Sequence, residues 1–312
     1  MNSSERHISV LKWCLAAAAY LWLAWQLYNY DGYDSLLTGF GAARWYNWLS
    51  LCLCLLLMPV NIHLEARRWR TLVAPLSPIS GEDALKQVYG GMLGAFLTPY
   101  RAGELPARVY LLNNRKIWKE ALAAGVFGGG LMTLVIVVFG IIPAFYVLAV
   151  GEMHAVWIRL AVAAACLAVI VAMAVRFRRN PGVVRTFLHI LPCLTGWTVL
   201  RYLCFSAQMA LMLCFTGVCL PIADMMTALP LYYMLVTLTP NMPVADAGIR
   251  GSWAVFVFSR YSDNVPMIAL AAVLLWFVNT VIPVFVGLWL SNHNGVCPPD
   301  DECIVRQDAQ NP

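Results

Sequence analysis

Apolar residues along most of this chain do not alternate with polar ones; they run on. Leu11 to Leu27 is broken only by Lys12 and Gln26, and the runs Ala121 to Val150 and Val156 to Val175 are longer. Runs of roughly 18 to 20 apolar residues are read as helices that cross a hydrocarbon core of about 30 Å. Transmembrane β-strands would give short alternating segments instead, so a β-barrel is excluded. The pattern predicts an all-α polytopic membrane protein with six full spans, near 9–28, 46–64, 121–149, 155–175, 192–218 and 266–290.

Two further segments, 83–114 and 225–261, are apolar enough to enter a membrane but are broken in the middle. In the first, the arm Asp83 to Leu97 has about 22 Å of helical rise and the arm Gly103 to Asn114 about 18 Å. Neither crosses the core, so the segment reads as a re-entrant helical hairpin. Ser80 followed by Asp83 is an N-cap signature for its first arm. Thr98 to Ala102 is then the turn at membrane depth, whose freed backbone groups must be buried in protein or line a wet cavity.

The two broken segments echo each other. Leu97-Thr98-Pro99 is followed by Ala102-Gly103, and Leu238-Thr239-Pro240 by Ala247-Gly248, with a second loop four residues longer. Each break follows two spans and precedes one. Three spans per unit invert the second copy, which is the pattern of inverted repeats whose discontinuous helices meet near the midplane. The expected organisation is repeat A at 1–150, repeat B at 151–291 and a polar cytoplasmic tail at 292–312. Thr98, Pro99, Gly103, Thr239, Pro240, Gly248 and Gly251 are expected to form the hairpin turns.

Composition changes this picture only by exclusion. The 312 residues are 61% hydrophobic and 12% charged, with mean hydropathy +0.70, where soluble domains carry about 25% charge. The polar stretches at 65–86 and after Ser291 are too short for a core of their own, so function is expected within the membrane or at its surface. The first apolar run lacks a small-x-small cleavage site and reads as a retained helix. Of ten cysteines, those in or near apolar runs read as small hydrophobes. Cys297 and Cys303 read as part of an unpaired tail.

Lys and Arg bias sets orientation. Arg6, Lys12, Arg67, Arg68, Arg70, Lys86, Arg115, Lys116, Lys119, Arg176, Arg178, Arg179 and Arg185 all fall on one face if the first hairpin is re-entrant. That face is then cytoplasmic, with both termini. Trp45, Trp48, Trp69, Trp118 and Trp157 fit an aromatic belt.

The charges inside the apolar segments are the candidate chemistry. Glu104 and Arg108 stand at i and i+4 and pair on one helix face, with Arg101 a turn earlier or in the turn. Asp246 and Arg250 repeat the spacing, beside Gly248 and Gly251. Arg201 lies about ten residues into the fifth span. Ionisable residues at such depth are functional candidates, usually turned to a bundle interior or cavity, and guanidinium matches two oxygens of a phosphate. The alternatives are snorkelling into headgroups for the first set and internal pairing for Asp246, Arg250 and Arg201. His63 and Glu65 read as interfacial residues at the end of the second span rather than metal ligands.

At the two hairpins the chain resembles the transmembrane region of lysylphosphatidylglycerol synthases and its stand-alone flippase-like relatives. LTPYRAGELPARVYLL looks like that family's first signature, and TPNMPVADAGIRGS is more loosely similar to the later glycine-rich one. Gly251 stands where the second signature commonly has an acid, and Asp246 is a substitute from the other side of Gly248. The resemblance implies a lipid-translocating module without the aminoacyl-transferring domain, with Arg101, Glu104 and Arg108 near the headgroup path.

The reading is therefore a transporter, not an enzyme, that moves a phospholipid, aminoacyl lipid or polyprenyl-phosphate across the inner membrane. Arg101, Glu104, Arg108, Arg201, Asp246 and Arg250 are its expected headgroup site. No nucleotide-binding loop, no metal cluster and no nucleophile with a positioned histidine is evident, so no catalytic residue, metal or cofactor is expected. The expected partner is a membrane lipid and not a nucleic acid. The alternatives are a membrane-embedded transferase on a lipid phosphate, and an accessory subunit of a lipid or glycan synthase docked on the basic loops.

Overall fold

The structure is a computed structural model that describes residues 45–98, 101–112, 114–150, 189–239 and 243–293. The expected spans at 9–28 and 155–175, Pro99, Pro240, and the tail with Cys297 and Cys303 lie outside the described residues.

The described chain is all-helical. It contains α1 (Trp45–Val73), α2 (Gly81–Leu97), α3 (Glu104–Tyr110), α4 (Trp118–Val150), α5 (Leu191–Phe215), α6 (Ile222–Leu238), α7 (Pro243–Phe258), α8 (Val265–Trp276) and α9 (Ile282–His293). A π-helical turn, Phe277–Val281, joins α8 to α9 in one rod. Four of the rods are long and apolar enough to cross a bilayer: α1, α4, α5 and α8–α9. These coincide with four of the expected spans. The protein is a polytopic integral membrane protein.

Each broken segment contains two helices, α2 with α3 and α6 with α7. Ser80 caps α2, its Oγ accepting the Asp83 amide at 3.0 Å. Thr98 ends α2 in extended conformation, and Thr239 ends α6 in the same way. The threonines of the echo thus mark equivalent positions. The Ala-Gly half does not: Gly103 precedes α3, whereas Gly248 and Gly251 lie inside α7. The feature that does recur is a carboxylate six or seven residues after the threonine and an arginine four further on. α3 is also shorter than expected, ending at Tyr110 where Leu111 turns away.

α2 and α3 run antiparallel, and glycines set their closeness. A Cβ on Gly91 would meet Arg108, and one on Gly94 would stand 2.5 Å from the Gly103 carbonyl oxygen. Small residues permit such backbone approach between membrane helices. The turn is held by Thr98, whose Oγ1 accepts the Gly103 amide at 2.7 Å and donates to the Gly94 carbonyl at 2.6 Å. α6 and α7 also pack antiparallel, with Thr227 near Tyr261 at one end and Thr239 near Trp253 at the other. At about 1.5 Å per residue, none of these four helices crosses a 30 Å core.

α1 and α5 also lie antiparallel. Asn47 reaches Phe215, Cys54 and Gln208 bond each other's backbone carbonyls, Cys204 reaches Leu57 and Asn61 reaches Arg201. Each hairpin leans on the rod that follows the other. α6 lies along α4, where Gly140 admits Pro230 and Met234, and α2 touches α9 at Gly287 and Tyr89. The buried core divides accordingly. One cluster surrounds α2 and α3 with α1 and the start of α4; the other surrounds α6, α7 and α8 with α5.

Two expectations at the end of α1 are corrected. The helix runs on to Val73, and Glu65, Arg68 and Trp69 within that extension are buried. Arg68 is therefore no loop charge, and Trp69 no belt residue: its Nε1 donates to Gln87 Oε1 at 2.6 Å. The amphipathic face explains this, because Asn61, Glu65, Arg68 and Leu72 recur at helical spacing and turn inward together. Trp45 and Trp48 are exposed, as a belt requires. Arg67, Arg70, Lys86, Arg115, Lys116 and Lys119 are exposed, and the antiparallel α2–α3 pair returns them to one end of the bundle.

Candidate functional site

A cavity of about 730 Å³ lies between the two core clusters. Its walls include Arg101, Glu104, Arg108, Arg201, Asp246 and Arg250. The fold thus brings all six expected site residues to one space, although they are spread over α5, α7 and the turn and short helix after α2. Of the expected turn residues that the structure describes, none is among its lining residues; Thr98 and Gly103 shape the hairpin that presents Arg101 and Glu104.

The centre of the site is Glu65, which the sequence reading placed at the interface. It is 5% exposed. Its Oε1 meets Arg108 Nη1 at 2.6 Å, and its Oε2 meets Arg68 Nη1 at 2.6 Å and Arg201 Nη1 at 2.8 Å. One carboxylate joins three guanidiniums from α1, α3 and α5. Arg108 also bonds Glu104 Oε1 at 2.6 Å, and the other oxygen of Glu104 takes Arg101 Nε at 3.0 Å. Arg68 is anchored further by the Gly128 carbonyl of α4. The Arg108 guanidinium stands 5.6 Å from the centre of the Trp69 ring, a cation–π distance.

The network is graded in exposure. Glu65, Arg68 and Arg108 form a sealed base, while the side chains of Glu104 and Arg201 are 23% and 21% exposed and that of Arg101 is 39% exposed. Arg101 occupies the turn with φ 56°. That left-handed conformation is uncommon for a residue other than glycine and costs about 1–3 kcal/mol. The hairpin holds the side chain at the cavity rim against that cost.

Amides extend the network across the bundle. Arg201 Nε donates to Asn61 Oδ1 at 3.2 Å. Gln208 and Asn279 exchange hydrogen bonds at 3.2 and 3.0 Å, and Asn61 approaches Gln208 at 3.5 Å. Asn279 sits in the π-turn, a distortion that often marks functional sites. The wall built by α7 and α8 carries a separate pair: Arg250 Nε on Asp246 Oδ1 at 2.6 Å, with Trp276 Nε1 on the other oxygen at 3.0 Å.

Charge does not balance among the described lining residues. Five arginines (68, 101, 108, 201 and 250) face three carboxylates (65, 104 and 246), leaving two positive charges. Arg201 uses Nε and Nη1, so its Nη2 has no partner among the described residues. Both terminal nitrogens of Arg101 likewise have no partner among the described residues. Apolar side chains such as Leu105, Met92, Ile136, Val236 and Leu275 line the rest. Fixed cations in a low-dielectric wall attract an anion far more strongly than they would in water.

Glu65, Arg68, Asn61, Gln208 and Asn279 are the site residues that sequence reasoning missed. Their one signal was the shared face of Asn61, Glu65 and Arg68 on α1. His63 is exposed and accepts from Arg67 Nε at 3.2 Å, as an interfacial residue would. Among the described residues no group of His, Cys, Asp and Glu has the clustering of a metal site.

No protein-family profile matches the chain, and no curated protein sequence matches it either. Fold and site define an integral, polytopic, all-helical membrane protein with a cationic internal cavity.

Proposed function

We propose that the protein carries a phosphate-bearing lipid headgroup through this cavity from one leaflet of the cytoplasmic membrane to the other, with the acyl or prenyl tails remaining in lipid. The observation that carries the reading is the surplus of two guanidinium charges among the described lining residues of a cavity with apolar walls. A permanent surplus of buried charge is expensive in a membrane, and an anionic headgroup relieves it while using the unpartnered nitrogens of Arg101 and Arg201.

The arrangement of helices supports a translocation route. α1 packs antiparallel to α5, and each short hairpin leans on the rod following the other, as inverted repeats do. In such folds, rocking of one unit against the other opens a midplane site to each face in turn. The exposed Lys and Arg residues at one end support a cytoplasmic orientation of that end.

The test is transfer in protein-containing liposomes of an acyl-labelled anionic phospholipid, followed by quenching of the outer leaflet. The reading predicts that quenching exceeds the half reached in protein-free vesicles. Equal quenching in both contradicts it.

A further inference from the structure

We infer that the headgroup this cavity selects is a phosphomonoester dianion, the charge form of a lipid ending in a free phosphate, over a phosphodiester monoanion; the inference rests on the translocator reading above. The charge count carries it. Asp246 and Arg250 neutralise each other at 2.6 Å, and Trp276 occupies the remaining carboxylate oxygen. On the opposite wall Arg68, Arg101, Arg108 and Arg201 face, among the described residues, only Glu65 and Glu104. Two positive charges remain among the described lining residues, and a headgroup of charge −2 matches them where one of −1 leaves a cation uncompensated.

Donor geometry points the same way. Among the described residues, the partly exposed arginines with unpartnered terminal nitrogens include Arg201, on α5, and Arg101, on the turn before α3. A terminal phosphate has three free oxygens and can receive donors from two elements of that wall at once. A diester has two, with a bulky substituent on the fourth position. The left-handed φ of 56° at Arg101 fixes one of these donors at the rim by a backbone conformation that arginine rarely adopts, and strain of this kind concentrates at ligand clamps. The sealed base of Glu65, Arg68 and Arg108 holds the rest of the charge in place.

The dianion exists only above the second phosphate pKa, about 6 for a phosphomonoester. The preference is therefore present at pH 8 and lost at pH 5, where both lipid classes carry one negative charge. The experiment uses the full chain in phosphatidylcholine liposomes doped with acyl-labelled phosphatidic acid or phosphatidylglycerol of identical chains. At pH 8 the expected ratio of transfer rates is about tenfold or more in favour of phosphatidic acid, falling toward parity at pH 5. Arg101→Gln, at the half-exposed rim, is expected to lower phosphatidic acid transfer more than phosphatidylglycerol transfer, and Arg101→Lys to restore the ratio.

Equal or faster transfer of phosphatidylglycerol at pH 8 overturns the inference and leaves the translocator reading standing. A preference that persists at pH 5 also overturns it. Titration with glycerol 3-phosphate separates a lipid from a free phosphomonoester. Binding of that compound without transfer of either lipid supports the dianion preference and overturns translocation. No binding and no transfer overturns both.

Discussion

Glu65 on α1 and Arg108 on α3, forty-three positions apart in the chain, meet at 2.6 Å in the sealed base of the cavity. The contact ties the first short hairpin to a membrane-crossing rod. It also sets the depth at which Glu104 and Arg101 stand above it. Because Glu65 serves Arg68 and Arg201 at once, it is the residue on which the polar network depends.

Removing that charge leaves three guanidiniums crowded without their shared anion. Breaking a buried pair by deleting one partner costs about 3–5 kcal/mol. Glu65→Gln is expected to destabilise the protein by an amount in that range, measured by chemical unfolding in detergent. The double variant Glu65→Gln with Arg108→Gln is expected to be less destabilised than the sum of the two singles, because neighbours in one network couple. Strict additivity would count against a direct pair.

The α2–α3 hairpin tests the role of its glycines. A methyl group at Gly94 would stand 2.5 Å from the Gly103 carbonyl and 2.7 Å from Ala107 Cβ. Gly94→Ala is expected to lower stability by about 1–3 kcal/mol, the usual range for overpacking. Gly196, on an exposed face of α5, has nothing within 4 Å of such a methyl. There Gly→Ala is expected to be neutral or to stabilise by up to about 1 kcal/mol through helix propensity. Melting temperatures of the two variants check the contrast.

Much of this architecture was legible in the chain. Continuous apolar runs located the long rods, because a bilayer demands that length of hydrocarbon. Thr98 and Thr239 marked real helix ends. Arg101, Glu104, Arg108, Arg201, Asp246 and Arg250 stood out because charge in an apolar segment demands a reason, and all six line one cavity. Glu65 and Arg68 did not stand out. They sit beside Arg67 and Arg70, and a cluster of charge at the end of a span has the same sequence whether it snorkels into headgroups or turns inward. The partners that decide it, Arg108, Arg201 and the Gly128 carbonyl, lie far away in sequence. The Ala-Gly match misled for a related reason: glycine precedes a short helix at 103 and lies inside a longer one at 248, and composition does not separate the two placements.

Trp69 and Gln87 test the other correction. Their hydrogen bond joins α1 to α2, and Gln87 Nε2 donates on to the Leu111 carbonyl after α3 at 3.4 Å. Gln87→Leu strands the buried indole N–H, at an expected loss of about 1–3 kcal/mol. Unfolding curves measure the loss, and a variant as stable as the parent would place Trp69 at the surface.

Orientation can be read from native cysteines. Cys193 lies in the first turn of α5 and Cys219 just beyond its end, both exposed, whereas Cys54 and Cys204 are buried. In variants retaining a single cysteine, an impermeant maleimide is expected to reach Cys219 from outside intact cells. It is expected to reach Cys193 only in inverted vesicles, and to leave Cys54 and Cys204 unmodified until the protein unfolds. Labelling of Cys193 and Cys219 from the same side would contradict a single crossing by α5.

The most direct measurement is the transfer rate of an acyl-labelled, phosphate-bearing lipid in liposomes containing the parent protein, compared with liposomes containing Arg201→Gln. Arg201 is the partly exposed arginine with an unpartnered nitrogen on α5. The account predicts rapid transfer by the parent and a loss of about tenfold or more in the variant, the effect of removing a guanidinium from a low-dielectric anion site. Transfer no faster than in protein-free vesicles, or equal transfer by both proteins, would contradict it.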